Sequence, residues 1–314
     1  MLKSYHVPPE YLAKWGMKIP DGRFRLNGTQ EVDNIKEADV VIFSMPLRDV
    51  TKPILDPHTF SKIVDDLGVD PRRVAAYDCS DDEWTAVHTN KRDCMFIRCN
   101  LKPIWKRDMP NSMPWFWPVE DFKELVPVPE GGFKYDVSAR MWLSKDMRRN
   151  ACKSIQDAHN KGMLRADVET FRDFYGYIPD KSAEQVRRKN EFKRSMKESR
   201  LALCPWSIQY VFPYRFWEAM SAGRMPILIC DDCSFPMSSK VDYDKVMLRV
   251  KDEDNVRVGE IVAKFLANTS DKEIIERGLY AREMWETWLN PQIQEWLYPV
   301  IIEEKLKQHG LYSG

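Results

Sequence analysis

The run PYRFWEAMSAGRMPILICDD, Pro213 to Asp232, decides the fold of this chain. Phe216, Ala219 and Met220 recur at i, i+3 and i+4, the spacing of one buried helix face, and Gly223 stands where a left-handed residue would end that helix. Pro226 then opens Ile227-Leu228-Ile229-Cys230, a continuous apolar run of the kind that a parallel strand buried on both faces requires. Asp231 and Asp232 follow at its carboxyl end. In open α/β sheets ligands bind outside the carboxyl ends of the strands, and helix N-termini there attract phosphate. Arg215 and Glu218 are three apart and project from one side of the helix's first turns. An arginine so placed can grip a phosphate bidentately, and a glutamate can accept hydrogen bonds from a ribose diol. A plain surface ion pair between the two is the alternative.

Outward from this run the chain alternates strand and helix signals. Residues 38–44 read as a buried strand, 59–67 as a helix closed by Gly68, 74–78 as a strand and 94–99 as another. Such alternation predicts parallel sheets with helices on both faces. The pattern breaks between Met109 and Glu130, a stretch rich in Pro, Trp and Glu, which is where an interdomain connection is expected. A second α/β unit follows Gly131-Gly132. Tyr135 to Leu143 is strand-like, Ser144 can cap a helix over about 145–161, and residues 201–205 form a further buried strand. One amphipathic helix is expected over 252–268, and one or two more over 271–307, where Trp285, Trp288 and Trp296 lie.

At 314 residues the chain is long enough for two domains of ordinary size. Its 48 basic and 48 acidic residues cancel, so no global charge steers it onto nucleic acid or an acidic membrane. The segment 181–200 carries eight Lys or Arg against three Glu, a pattern that most often marks a solvated helix face. The seven cysteines are odd in number and mostly in apolar context, which fits reduced thiols in a cytosolic protein. Cys230 and Cys233 form a CxxC, but no second CxxC or histidine pair stands nearby to complete a metal site. No signal segment or membrane span is evident, and the expected setting is cytoplasmic.

The stretch Ser199 to Val250 resembles the C-terminal nucleotide-sugar domain of the exostosin-like glycosyltransferases. The resemblance is carried by Ser199, Cys204-Pro205, Arg215, Glu218-Ala219, Ala222-Gly223, Pro226, Asp231-Asp232, Pro236 and Asp242-Tyr243. It implies a GT-B-like α/β fold in which two Rossmann-like domains face across a cleft and C-terminal helices cross back to the N-terminal domain. The corresponding divisions are 1–125 on the acceptor side, 126–280 for the nucleotide sugar, and 281–314 for the terminal helices. It also implies inverting, metal-independent transfer from a nucleotide sugar, with UDP the expected nucleotide and a glycan or glycoconjugate the acceptor. Arg215 then maps beside the donor phosphates and Glu218 beside the ribose. Arg148 or Arg149 supplies an upstream diphosphate contact, although the glycine usual between that strand and helix is absent. Cys204-Pro205 ends the strand before the donor loop, whose Trp206 and Tyr210 are candidates for stacking on the base or sugar or for plain packing.

Inverting transfer needs a base to deprotonate the acceptor hydroxyl. Asp78, Asp81 and Asp82 follow a buried strand in the first half and are the leading candidates, with His88 and Asp49 behind them; Asp81 and Asp82 suit helix capping equally well. Trp105, Trp115 and Trp117 are candidates for an acceptor subsite or for core packing. Two other readings compete: transfer of a sugar to modified nucleic-acid bases, disfavoured by the neutral charge, and a non-catalytic nucleotide- or glycan-binding module of the same fold. A nicotinamide oxidoreductase is disfavoured because no GxGxxG follows an early strand.

Overall fold

Each apolar run read above lies in a parallel sheet of the computed structural model, which describes residues 1–15, 27–43, 57–78, 91, 93–98, 111–114, 119–143, 145–171, 182–206, 213–231 and 233–313. The chain divides into two units. The first comprises Met1–Phe116, Cys233–Pro236 and Pro291–Gly314, and the second Trp117–Asp232 and Met237–Asn290.

In the first unit the elements are β1 (Lys3–His6), α1 (Pro9–Ala13), β2 (Gln30–Glu31), β3 (Val40–Phe43), α2 (Pro57–Leu67), β4 (Val74–Asp78), β5 (Met95–Arg98) and β6 (Met113–Pro114). The strands pair in parallel in the order β2-β1-β3-β4-β5-β6. Phe60 and Ile63 of α2 are buried against β3 and β5, with the Phe60 ring 5.4 Å from Phe43 and 5.6 Å from Phe96. Gly68 ends α2 at φ +63°, as its position after Leu67 leads one to expect.

The second unit runs β7 (Tyr135–Trp142), α3 (Asp146–Asn160), β8 (Ala166–Phe171), α4 (Ala183–Glu198), β9 (Ser199–Pro205), α5 (Tyr214–Ser221), β10 (Met225–Ile229), α6 (Tyr243–Val246), β11 (Leu248–Val250), α7 (Val258–Asn268) and α8 (Asp271–Met284). A turn of π-helix, Trp285–Leu289, extends α8. Its sheet is parallel in the order β11-β10-β9-β7-β8. The chain winds one way from β7 to β8 and the other way from β9 onward, so the topological switch point lies between β7 and β9. Doubly wound sheets bind ligands in the crevice that opens there.

Helix α5 is the helix that the opening run predicts. Phe216, Trp217, Ala219 and Met220 are all fully buried, worth about 1.5–3 kcal/mol for each large side chain, and Gly223 ends the turn at φ +65°. Pro226 to Ile229 follow inside β10, fully buried between β9 and β11. The single helix expected over 252–268 is instead a 3-10 turn, Asp252–Arg257, followed by α7. Helix α7 meets α3 at backbone contact: a Cβ on Gly259 would stand 2.3 Å from the Ser154 carbonyl.

The last helix, α9 (Pro291–Gln308), belongs to the first unit. There the Tyr298 hydroxyl donates to the Pro114 carbonyl at 2.9 Å, and His309 Nε2 lies 3.0 Å from Asn111 Oδ1. Among the described residues no helix is long and apolar enough to cross a membrane.

Candidate functional site

A cavity of about 420 Å³ opens at the switch point of the second unit, within the roughly 300–1,000 Å³ usual for small-molecule sites. Its floor is the carboxyl end of β7, Arg140 to Trp142, and of β9, Leu203 to Pro205. Its walls come from the starts of α3 and α5, from Arg188, Lys189 and Phe192 of α4, and from Glu120 and Phe122 ahead of β7. The first turns of α3 and α5 both lack a capping side chain, the N-cap positions being Lys145 and Pro213. The partial positive charge of two helix starts makes this corner favourable for an anion.

Two guanidiniums reinforce that corner. Arg148, in the first turn of α3, donates from Nη1 to the Trp142 carbonyl at 3.3 Å, and its buried Nε has no partner. Arg215, in the first turn of α5, donates to the Arg140 carbonyl, stacks 4.7 Å from the centre of the Phe192 ring, and also keeps a buried, unpartnered Nε. Burial, and then the neighbouring charge of Arg215, pull the Arg148 pKa down to about 10, so Arg148 stays charged at neutral pH. Neither arginine forms a salt bridge among the described residues. Two half-buried, like-charged groups, each with a buried and open Nε, are costly to leave so, and an anion bound between them would relieve that cost.

Glu218 lies one turn beyond Arg215 and lines the same cavity. The surface ion pair that the spacing allowed is absent: no salt bridge joins Arg215 to Glu218. Burial raises the Glu218 carboxyl above the usual range, Arg215 opposes the shift, and the charge of Glu120 adds to it. A partly desolvated carboxylate without a donor is suited to accept ligand hydroxyls.

The other basic groups of the cavity are already engaged. Arg140 is held by Asp167 at 3.1 Å, by Glu169 and by Glu191. Arg188 pairs with Glu184 at 2.6 Å and stacks on Phe171, and Lys189 pairs with Glu120 at 2.8 Å. The basic run over 181–200 is thus laced to carboxylates through Arg187, Arg188, Lys189, Lys193 and Arg200, as expected of a solvated helix face.

The remaining sequence candidates divide. Arg149 points away from the cavity, exposed and paired with Asp146, so Arg148 alone of the two faces it. Pro205 and Cys204 line the floor; the Cys204 thiol is buried, bonded to the Ala202 carbonyl at 3.2 Å, and pushed upward in pKa by that burial. Trp206 packs on the apolar core and donates Nε1–H to Asp252 at 2.9 Å, outside the cavity lining. Asp78 ends β4. Tyr210, Asp81, Asp82, His88, Asp49, Trp105, Trp115 and Trp117 lie outside the described residues. The first unit has its own switch point between β1 and β3, and His6 ends β1 there.

Sequence reading missed the contributions of α4 and of Glu120 and Phe122, which reach the cavity from far along the chain. Cys230 and Cys233 are disulfide-bonded, so the expectation of reduced thiols holds for Cys94, Cys152 and Cys204 and fails for this pair. Among the described residues no group of three or more His, Cys, Asp or Glu is placed to hold a metal ion.

No protein-family model matches the chain, and no curated protein sequence matches it. Solved structures do resemble it distantly. A glycosyltransferase from Rickettsia africae ESF-5 aligns with 98% of this chain and 99% of its own at 9% identity and a TM-score of 0.45. The GtfA/B complex aligns over 86% of this chain and 58% of its own, at 15% identity and a TM-score of 0.47. An α1,3-fucosyltransferase aligns over 88% and 81% at 12% identity, with a TM-score of 0.39.

Proposed function

We propose that the chain is a glycosyltransferase of the GT-B type that binds a nucleotide-diphosphate sugar in the switch-point cavity of its second unit. The observation that carries this reading is the pairing of Arg148 and Arg215, each with an open buried Nε at an uncapped helix start, with Glu218 one turn further on lining the same cavity. A diphosphate would lie against the two arginines and the helix amides, and a ribose diol against Glu218. The resemblance of Ser199–Val250 to exostosin-like enzymes puts Arg215 and Glu218 in the same roles.

In this reading the reaction is inverting. The acceptor hydroxyl loses its proton to a base and attacks the anomeric carbon. The bond from that carbon to the diphosphate oxygen breaks, and the electron pair leaves on the nucleoside diphosphate. Arg148 and Arg215 would stabilise the charge that gathers there, the part that a divalent cation plays elsewhere. The bases proposed are Asp78, Asp81 and Asp82, joined by His6 because it ends β1 at the first unit's switch point. UDP is the proposed nucleotide, a glycan or glycoconjugate the proposed acceptor, and the cytoplasm the proposed setting. Transfer to nucleic-acid bases is disfavoured by the carboxylates that neutralise the 181–200 run.

The test is calorimetric titration of UDP, GDP, ADP, CDP and CMP, with and without EDTA, followed by hydrolysis and transfer assays with the sugar conjugates of whichever nucleotide binds. Micromolar, EDTA-insensitive binding of one nucleotide is expected, together with loss of turnover in one of the four base variants made to alanine. Binding without turnover of any sugar conjugate would leave a non-catalytic module, and absence of nucleotide binding would overturn the reading.

A further inference from the structure

Glu218 is not the cavity's only carboxylate. Glu120 sits on a strap of chain, residues 119–126, that precedes β7 and contributes Glu120 and Phe122 to the cavity wall. The Glu120 carboxylate is oriented from two sides: Lys189 Nζ is 2.8 Å from Oε2, and Lys193 Nζ is 2.7 Å from Oε1. Its backbone is fixed as well. The Ser221 hydroxyl lies 3.3 Å from the Glu120 carbonyl and 3.4 Å from the Phe122 amide, while the Phe122 ring packs 6.0 Å from Phe192.

A tie between strap and α4 would by itself account for one ion pair, and Lys193 with Glu124, 3.1 Å apart, already supplies one. Glu120 differs from Glu124 in facing the cavity. Each of its oxygens retains acceptor capacity after one lysine bond. Electrostatic neighbours order the wall: Arg148 interacts with Arg215, Arg215 with Glu218, and Glu218 with Glu120 and Lys189. Glu120 stands in that wall with its charge offset by Lys189 and Lys193.

We infer that Glu120 is a specificity-determining residue that, together with Glu218, reads a vicinal diol on the ligand. The inference rests on the nucleotide-sugar reading above. Two carboxylates lining one cavity can accept two hydroxyl protons, as a ribose 2′,3′-diol offers. A missing hydroxyl leaves an acceptor without its donor, at a cost that is larger for the half-buried Glu218 than for Glu120, whose side chain is 44% exposed. Lys189 and Lys193 are the positioning residues that hold Glu120 in register.

The experiment compares the tightest-binding of UDP, GDP, ADP and CDP with its own 2′-deoxy form, by calorimetry, in the wild type, Glu120→Ala, Glu120→Gln and Lys193→Met. The wild type is expected to favour the ribonucleotide by about tenfold or more, and Glu120→Ala by only about threefold. Glu120→Gln, whose amide oxygen still accepts a hydroxyl proton, is expected to fall between the two, and it carries the test should the alanine variant misfold. Lys193→Met is expected to lower the ratio while leaving Glu120 in place. An unchanged ratio in Glu120→Ala and Glu120→Gln, with ribonucleotide binding retained, would overturn the inference and leave the nucleotide-sugar site standing. Failure of every ribonucleoside diphosphate to bind the wild type would overturn both.

Discussion

The two ends of α5 treat a buried arginine in opposite ways. At its start Arg215, like Arg148 at the start of α3, gives one hydrogen bond to a backbone carbonyl and leaves a buried Nε open. Just past its end, Arg224 spends every guanidinium nitrogen: Nε on Met196, Nη1 on Val126, Ala222 and Gly223, and Nη2 on Leu125 and Lys197. Burial pulls Arg148 and Arg224 down to about the same pKa, about 10, so desolvation does not distinguish them. Partners do. The carbonyls that Arg224 collects are the orphans at the ends of α4, α5 and the strap's 3-10 turn, the acceptors that helix C-termini leave open. Arg148 and Arg215 stand at helix starts, where the helix backbone offers donors and the acceptors they find are single carbonyls of β7, Trp142 and Arg140. A cation with saturated donors is a structural clamp, and one with open donors is a site.

The contrast can be broken first at the clamp. Arg224→Ala would strand buried carbonyls on three segments and is expected to cost about 3 kcal/mol or more, read as a fall in the urea midpoint at unchanged slope. Gly278→Ala attacks the same corner by volume: its Cβ would stand 2.4 Å from the Gly223 carbonyl, and overpacking of this kind costs about 1–3 kcal/mol. At the other end of α5, Arg215→Ala is expected to weaken nucleotide-diphosphate binding at least tenfold, about 1.4 kcal/mol. Its stability in the absence of ligand should fall by about 1 kcal/mol, for the one carbonyl bond it loses, well short of the Arg224→Ala loss. A large fall in stability there would make Arg215 a second clamp and erase the distinction.

Glu218 sharpens the comparison through pH. Its folded pKa is raised, so between the ordinary carboxyl value and the raised one the folded state holds the extra proton, and stability falls as pH rises through that window. Glu218→Gln is therefore expected to melt higher than wild type at neutral pH, with the advantage vanishing as pH drops below the ordinary carboxyl range. A constant difference across pH would show that the carboxyl is unperturbed. Arg149→Ala, next to Arg148 but exposed and paired with Asp146, is expected to change neither binding nor melting measurably.

The sequence made α5 and β10 legible because these depend on local spacing: the i, i+3, i+4 face of Phe216, Ala219 and Met220, and the unbroken run after Pro226. Arg148 and Arg149 could not be told apart, because neighbours on a helix differ by about 100° of rotation and the phase read from Ser144, which lies outside the described residues, is not the one set by the N-cap position at Lys145. The aromatic ring of Trp206 looked available for stacking, yet its indole N–H found Asp252, 46 positions away. Glu120 and Phe192 are the same kind of case, since both are brought to the cavity by tertiary packing that no local pattern encodes. The strand order that puts the switch point between β7 and β9 is likewise a long-range property.

The first unit is written in the chain as an interrupted sentence. Its sheet is complete by Pro114, yet α9, which bonds to Pro114 and Asn111, arrives only after the whole second unit has been synthesised. During translation the early strands must wait with that surface uncovered for more than 170 residues, on the order of 10–35 s at ordinary elongation rates. Any holdase that shelters nascent chains would meet this face first, and a circular permutant that moves α9 ahead of β1 would shorten the wait to nothing.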